Sequence, residues 1–569
     1  MHADRTARPR PWSALLPLLA ALGLPGPLVA RSLQAGLDPA PASAAASPAS
    51  AQEPGAAPPA AGRLFLTAPE ASGFRRTSRL AEVESALEAL KASPFGEFCE
   101  RLQLGYSAGR GAEAPALPLL ALRMTDRKPG RLRVLVLANI HGGEVEGKEA
   151  SLMLMRELAE GRHRGLLERL ELLWIPVYNP DGNEAIGPWN RVEQNGPEEG
   201  VGERANGLGL DLNRDLIKAE APETRALLGI LARFNPHLLL DLHTTNGTDH
   251  GYPLTYATSL TPGLDADLSA YAEQRFLPAV AARMAEQGFS TFDYGNLESI
   301  EGGGEAWRSF DARPRFLTNY IGLRNRIPIL SEAFSYADFG LRIEATRAFV
   351  LACLERAAEE AEDIRRRVEA ADRRCMDPAQ PLALPLAVAL EPPWPKDIWL
   401  QRIEELELSL PDGGSGRRRQ ATWELERRPS QAQVRFLSTA LRSLPAGWAV
   451  AAPNAALLET LAWHGVDVRL LERPWDGSAE RFEISESRLA SRPFQGHRER
   501  SLRGAWNLTP VRLPAGALVV PRAQPLARLA AWLLEPESLD SWTTWNGFDA
   551  WLAEDPSHHP VLRLAQLPD

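Results

Sequence analysis

Cysteine is scarce: Cys99, Cys353 and Cys375 are the three in 569 residues. An odd total of three makes no disulfide framework, and at most one bridge can form. An excess of positive charge is missing too. The formal net charge of -10 and a pI near 5.7 argue against general attraction to nucleic acid or to anionic membrane surfaces, so neither is expected as a partner. The sequence also lacks an unbroken membrane-length apolar run. The apolar segment from Ala14 to Ala30 is short for a span and is interrupted by Pro17, Pro25 and Pro27. No internal repeat and no second catalytic motif are found.

What is present suffices for two or three globular domains, with 44% hydrophobic and 24% charged residues. Arg5, Arg8 and Arg10 precede the first apolar segment, and small residues at Ala30 and Ala35 offer cleavage points. Residues 1–35 are therefore expected to be a signal peptide, with a disordered Ala-rich leader as the alternative. Residues 36–62 are almost entirely Ala, Pro and Ser, with too little apolar bulk to offset the entropy of ordering, and are expected to be a flexible linker.

One stretch organises the rest. Residues 131–149 carry the apolar run Leu132, Val134 to Leu137, which suits a central strand covered on both faces, followed by His141-Gly-Gly-Glu144 and a helical stripe of Leu152, Met155 and Ala159. Further strands predicted at Leu172 to Val177, His237 to Leu242 and Ile327 to Leu330 also end in polar clusters: Asn179-Pro-Asp-Gly182, Asp241-Leu-His243-Thr-Thr and Ser331-Glu332. In an open α/β sheet the carboxyl ends of the strands form the ligand crevice, so four clusters spread along the chain can converge there. A catalytic zinc takes about three protein ligands, often two close in sequence and one distant. His141, Glu144 and His243 fit that description. Asp241 either orients a ligand or is a structural carboxylate at a strand end.

These motifs, in this order, resemble the M14 zinc metallocarboxypeptidases and their relatives acting on murein peptides or acyl amino acids. The resemblance covers roughly residues 75–370. It implies a mixed, mostly parallel twisted sheet with helices on both faces, and one Zn2+ per chain held by His141, Glu144 and His243. It further implies a substrate-carboxylate site in Gly209-Leu-Asp-Leu-Asn213-Arg214 and a general base at Glu332. Amide hydrolysis also needs a cation facing the oxyanion. Arg204 is the choice, with Arg191 as the alternative. Asn213 and Arg214 would clamp the terminal carboxylate, since a guanidinium pairs with carboxylate through two hydrogen bonds. Asp215 follows Arg214 where many family members have Asn or Ser, so it could partly neutralise the arginine. The family's mobile tyrosine stays open among Tyr294, Tyr320 and Tyr336.

The insert Pro188 to Asn206 and the segment Thr244 to Tyr256 read as long loops over the crevice. The zinc peptidase domain is expected over 63–376, ending in a long helical pattern from Arg342 to Arg373. Eleven of the fifteen tryptophans fall after residue 390, which marks a mainly β or mixed accessory domain over 377–569, its tryptophans serving either as core or as sugar-stacking faces. The leading function is an exported zinc carboxypeptidase acting on peptides. The alternatives are an amidase or deacylase of cell-wall peptides or N-acyl amino acids, and a non-catalytic binding protein. No membrane span is expected in the mature chain, and oligomeric state is not legible.

Overall fold

The strand that opens the His-Gly-Gly-Glu turn lies at the centre of an eight-stranded sheet in the computed structural model, which describes residues 63–111, 114–245, 247–300, 304–409 and 413–568. The expected signal peptide and linker lie outside the described residues. The strands are β1 (Cys99–Tyr106), β2 (Pro118–Met124), β3 (Leu132–Ala138), β4 (Leu170–Ile175), β5 (Leu238–Thr244), β6 (Leu254–Ala257) and β7 (Thr291–Asp293). After a small hairpin of β8 (Asn296–Ser299) and β9 (Glu305–Arg308), the last is β10 (Ile327–Ala333). Their spatial order is β1-β2-β4-β3-β5-β10-β6-β7. The central four run parallel, as do β6 and β7, whereas β1–β2, β2–β4 and β10–β6 are antiparallel. This is the mixed, mostly parallel sheet expected from the sequence.

The central strands read as apolar runs because helices cover both faces. These helices include α1 (Leu80–Ala92), α2 (Glu146–Ala159), α3 (Pro222–Arg233), α4 (Leu317–Leu323), α5 (Phe339–Glu359) and α6 (Ala361–Met376). Val134, Val136, Leu240 and Ile329 pack on one side with α1, α2, α5 and α6. Leu135, Leu137, Leu173 and Leu239 pack on the other with α3 and α4. Each buried leucine contributes about 2 kcal/mol. The single helical pattern expected from Arg342 to Arg373 is two helices that meet at Glu360, whose backbone leaves the helix at φ -106°. Its carboxylate accepts hydrogen bonds from Tyr271 and Arg275 and pairs with Arg356. No Gly or Pro marks that kink, so periodicity alone runs through it.

Beyond α6 come β11 (Ala383–Leu390), β12 (Trp394–Ser409), β13 (Ser415–Gln433) and β14 (Phe436–Ser443). A six-stranded antiparallel sheet follows, made of β15 (Gly447–Val450), β16 (Arg469–Leu470), β17 (Trp475–Leu489), β18 (Arg500–Leu513), β19 (Leu518–Pro521) and β20 (His558–Leu564), with helices α7 (Ala455–His464) and α8 (Ala527–Leu534). This stretch is not set apart from what precedes it. β13 extends the β8–β9 hairpin through Ala432 beside Trp307, and Trp448, Leu458, Trp532 and Trp545 share a core with Leu228 and Tyr320. Trp448, Trp532, Trp542 and Trp545 are buried, so they serve as core aromatics.

Polar contacts stitch the same boundary. The buried His464 ring gives its Nε2 proton to the Ile217 carbonyl at 3.0 Å, which leaves Nδ1 to accept from the Tyr320 hydroxyl at 2.8 Å. Burial lowers that imidazole to about 4, so it is neutral. The fully buried Asp540 accepts from the Arg315 backbone at 2.7 Å, the Arg315 guanidinium at 2.9 Å and the Trp545 indole at 2.9 Å. Among the described residues no helix is long and apolar enough to cross a membrane.

Candidate active site

The turn after β3 is shaped by Asn139 and by two glycines. Asn139 takes a left-handed backbone at φ 61°, which Asn tolerates, and its side-chain amide donates to the carbonyls of His141, Gly142 and Glu144 at 3.0–3.1 Å. The glycines are needed for close approach. A Cβ on Gly142 would lie 2.3 Å from the carbonyl carbon of Gly182, and one on Gly143 would lie 2.7 Å from the Gly202 oxygen. The Asn-Pro-Asp-Gly segment is the start of a short helix, Pro180–Glu184. Asn179 caps it by accepting from Gly182 at 2.9 Å, and Pro180 occupies a first-turn position that needs no amide donor. The Asn179 amide also donates to the Arg204 carbonyl at 3.1 Å, which ties the insert to this strand end.

Strand register does the rest. β3 and β5 are aligned with Leu137 opposite Asp241, and β5 and β10 with His243 opposite Glu332, so the polar ends of three neighbouring parallel strands lie side by side. His141, Glu144 and His243 are each about 3% exposed, and one ligand atom from each falls within 4.8 Å of the others. Glu144 lies between the imidazoles: its Oε1 is 3.0 Å from His141 Nδ1, and its Oε2 is 2.9 Å from His243 Nδ1.

The far nitrogens both meet carboxylates. His141 Nε2 is 3.1 Å from Asp211 Oδ1, and His243 Nε2 is 3.0 Å from Asp241 Oδ1. The second contact is out of line for a hydrogen bond, and His243 Nε2 and both Asp241 oxygens are buried without one. This donor set fits zinc. Two imidazole nitrogens and a carboxylate converge; Asp211 lies behind the His141 ring where it would keep the proton on Nε2 and leave Nδ1 for a metal, and Asp241 lies close behind the His243 ring. Against the burial that would raise it, the charges of His141 and Arg191 hold Glu144 well below the usual carboxylate range. Against the burial that would lower it, Asp241 and Glu144 hold the His243 imidazole well above its ordinary value.

Both candidate arginines reach this cluster. Arg191 is the more enclosed: its Nη1 is 3.1 Å from Glu144 Oε1, it donates to Gln194 at 2.8 Å, and its Nη2 donates to the carbonyls of Thr244 and Thr245. Arg204 donates from Nε to Asp211 at 2.9 Å, and its Nη1 is 3.3 Å from His141 Nδ1 and 3.6 Å from Glu144. Its side chain keeps 40% exposure against 16% for Arg191, so Arg204 presents more open guanidinium surface.

Asn213 and Arg214 lie in the short helical turn Leu212–Arg214. The Asn213 side-chain oxygen accepts from Leu317 at 2.8 Å, which fixes the amide with Nδ2 as its donor end. Arg214 stacks over Phe316 at 4.0 Å and has Asp211 as its acidic neighbour at 3.9 Å. The expected neutralisation by Asp215 is not what the structure has. That carboxylate turns away to Lys218 at 2.7 Å and to the amides of Glu220 and Ala221. Glu332 is 7% exposed. Burial pushes it up to about 8, with the His243 charge opposing and Glu144 adding.

Of the three tyrosines left open, Tyr320 is in the core against His464, and the Tyr336 hydroxyl oxygen accepts from Arg419 Nη1 at 2.6 Å. Tyr294 packs against Phe310, its backbone amide donates to the Tyr256 carbonyl, and burial first, then the charges of Glu332 and Glu144, push its phenol well above the ordinary range, with Arg204 and Arg214 opposing. Asp211 is the residue that motif reading passed over. Its Oδ1 faces His141 and accepts from the Asn213 amide, and its Oδ2 takes Arg204. Only its position two residues before Asn213 signalled it.

Residues 99–217 match the zinc carboxypeptidase family, Peptidase_M14. That match and the relatives that follow indicate a metallopeptidase of carboxypeptidase type. Carboxypeptidase 2 of Trichophyton equinum is 22% identical over 81% of this chain and 82% of its own. Carboxypeptidase 2 of Trichophyton tonsurans is 30% identical over 24% of this chain and 23% of its own, and human carboxypeptidase D is 33% identical over 20% and 10%. Among solved structures, the metallo-carboxypeptidase of Burkholderia cenocepacia aligns with a TM-score of 0.37 at 18% identity, over 49% of this chain and 69% of that one. Carboxypeptidase A of Helicoverpa armigera aligns at 0.38 and 17%, over 51% and 75%.

Proposed function

We propose that the protein is an exported, zinc-dependent hydrolase that cleaves the amide bond next to the free terminal carboxylate of a peptide. The observation that carries this is the meeting of His141, Glu144 and His243 within 4.8 Å at the strand ends, with Glu332 paired in register to His243. These three residues would hold one zinc per chain. When bound, zinc supplies Lewis-acid polarisation of the scissile carbonyl and activation of water. Glu332 takes a proton from the attacking water and gives it to the leaving nitrogen. Arg204 donates to the oxyanion that develops on the carbonyl, with its orientation fixed by Asp211. Asn213 Nδ2 and the Arg214 guanidinium bind the terminal carboxylate, and Phe316 beneath Arg214 limits where that guanidinium can go.

The test is a paired assay of free-acid and C-terminally amidated peptides of one sequence. The free acid should be favoured by roughly thirtyfold to several thousandfold in kcat/KM, because amidation leaves a half-buried arginine without its counter-charge, a loss on the order of 2–5 kcal/mol. Arg214→Ala should abolish the preference by weakening the free acid and sparing the amide. Equal rates on both by the wild type would reject the exopeptidase assignment in favour of an endopeptidase or an amidase whose specificity lies in the long loops 188–206 and 244–256.

A further inference from the structure

We propose that the tip of the β17–β18 hairpin, from the C-terminal stretch, is a working part of the catalytic crevice, with Gln495 as a positioning residue that acts through Asp211. This rests on the zinc-peptidase reading of the site for its catalytic consequence, but not for its contacts.

The hairpin closes in a tight turn. Phe494 and His497 exchange backbone hydrogen bonds at 2.7 and 3.0 Å, and the two residues between them, Gln495 and Gly496, both have positive φ, at 49° and 82°. Glycine takes such a conformation freely, whereas glutamine does so at a cost that something must offset. What Gln495 gains is reach: its Oε1 accepts the backbone N–H of Asp211 at 2.8 Å, across 284 residues of sequence.

Asp211 is where the site's orientation is decided. One oxygen of its carboxylate faces His141 Nε2 at 3.1 Å and accepts from the Asn213 amide at 2.9 Å, and the other accepts from Arg204 Nε at 2.9 Å. A candidate metal ligand, the candidate oxyanion arginine and the start of the carboxylate motif therefore share one residue. Its backbone amide is held by the hairpin tip.

The tip is anchored on both sides of that contact. His497 Nε2 lies 2.7 Å from Glu220 Oε1, and its Nδ1 lies 3.1 Å from Asn546 Oδ1. Glu499 pairs with Arg315 at 2.6 Å, and the Arg315 guanidinium sits over the Phe494 ring at 5.6 Å and the Trp545 ring at 4.5 Å. Arg315 precedes Phe316, the ring under Arg214. The tip is thus braced against the loop that carries the carboxylate pocket as well as against Asp211.

A carboxylate directly behind a metal-binding histidine typically changes metal affinity by about 10- to 100-fold when removed. Gln495 lies one contact further out and holds a single hydrogen bond, so a loss of about three- to tenfold is expected. The experiment uses the full chain and three variants: Gln495→Met, which keeps length but loses the acceptor; Gln495→Glu, which restores an acceptor oxygen; and Arg492→Ala, an exposed control on the same turn. Zinc affinity is measured by competition with a chelator of known affinity, alongside kcat, KM and thermal midpoint.

Gln495→Met should weaken zinc by about three- to tenfold and lower kcat by a similar factor, with KM within about twofold and the midpoint nearly unchanged. Gln495→Glu should recover most of both losses, and Arg492→Ala should behave as wild type. Wild-type zinc affinity and kcat in Gln495→Met, or a Gln495→Glu protein no better than it, would overturn the proposal. Should Gln495→Met not fold, Gln495→Ser, too short to reach Asp211, replaces it under the same criteria. If the wild type hydrolyses no peptide, the proposed function fails, while the zinc arm still decides the role of Gln495.

Discussion

At the scale of single residues, the site separates groups that would hold a metal from one that would move a proton. His141, Glu144 and His243 point ring nitrogens and a carboxylate at a common place, whereas Glu332, the next-strand neighbour of His243, is not one of the trio. His243→Ala should lose most of the zinc. Glu332→Gln should keep it, retain KM, and lose about 100- to 10,000-fold in kcat, the usual weight of a positioned general base. Zinc analysis and steady-state kinetics on the two proteins check this contrast, and a Glu332→Gln enzyme of near wild-type turnover would move the base elsewhere. The cluster of His141, Glu144 and His243 was legible because His141-Gly-Gly-Glu144 is compact and His243 ends an apolar strand. Asp211 and Gln495 were not: the first acts through a carboxylate inside a motif read for its neighbours, and the second reaches the site by folding alone.

At the scale of elements, the buried strands were legible and the exposed ribbons were not. β3, β5 and β10 are buried almost throughout and read as apolar runs. β12 and β13 are long, but stretches such as Arg417-Arg-Arg-Gln and Glu424-Leu-Glu-Arg-Arg put charge on both faces, so neither alternation nor a continuous run marks them. The ribbon braces the crevice loops: Arg419 donates its backbone amide to Glu193, Ala421 to Tyr336, and Gln401 bonds the carbonyls of Asp249 and His250. The apolar elements carry the stability that keeps register. Leu240 is fully buried on β5, between β3 and β10 and one residue before Asp241. Leu240→Ala should cost about 2–5 kcal/mol, the range for a cavity in a packed core, as measured by denaturant unfolding. A cost below about 1 kcal/mol would mean that the strand is not clamped as described.

At the scale of the whole molecule, the residues after 377 share a core, a sheet and several buried polar contacts with those before, so the two stretches are expected to lose structure together. The Glu220–His497 contact gives that expectation a pH signature. Against the burial that would raise it, His497 and Lys218 hold Glu220 at about 2, and the bond to Glu220 raises His497 above its ordinary value. For Glu220, a folded value below the unfolded one of about 4.5 adds stability that is present above 4.5 and lost as pH falls towards 2. For His497 the sign is opposite: stability is fully present below about 6.5 and lost as pH rises through the raised folded value. Both contributions coexist between about pH 4.5 and 6.5. Thermal midpoints of wild type and His497→Gln, followed from pH 4 to 9, should therefore differ most in that window and converge at alkaline pH. Since the Glu220 side chain is 38% exposed, solvent screens the pair and the difference should shrink further in high salt. A difference that stayed constant from pH 4 to 9 would show that the hairpin tip is held by packing around Trp545 and Phe494, with the ion pair adding nothing.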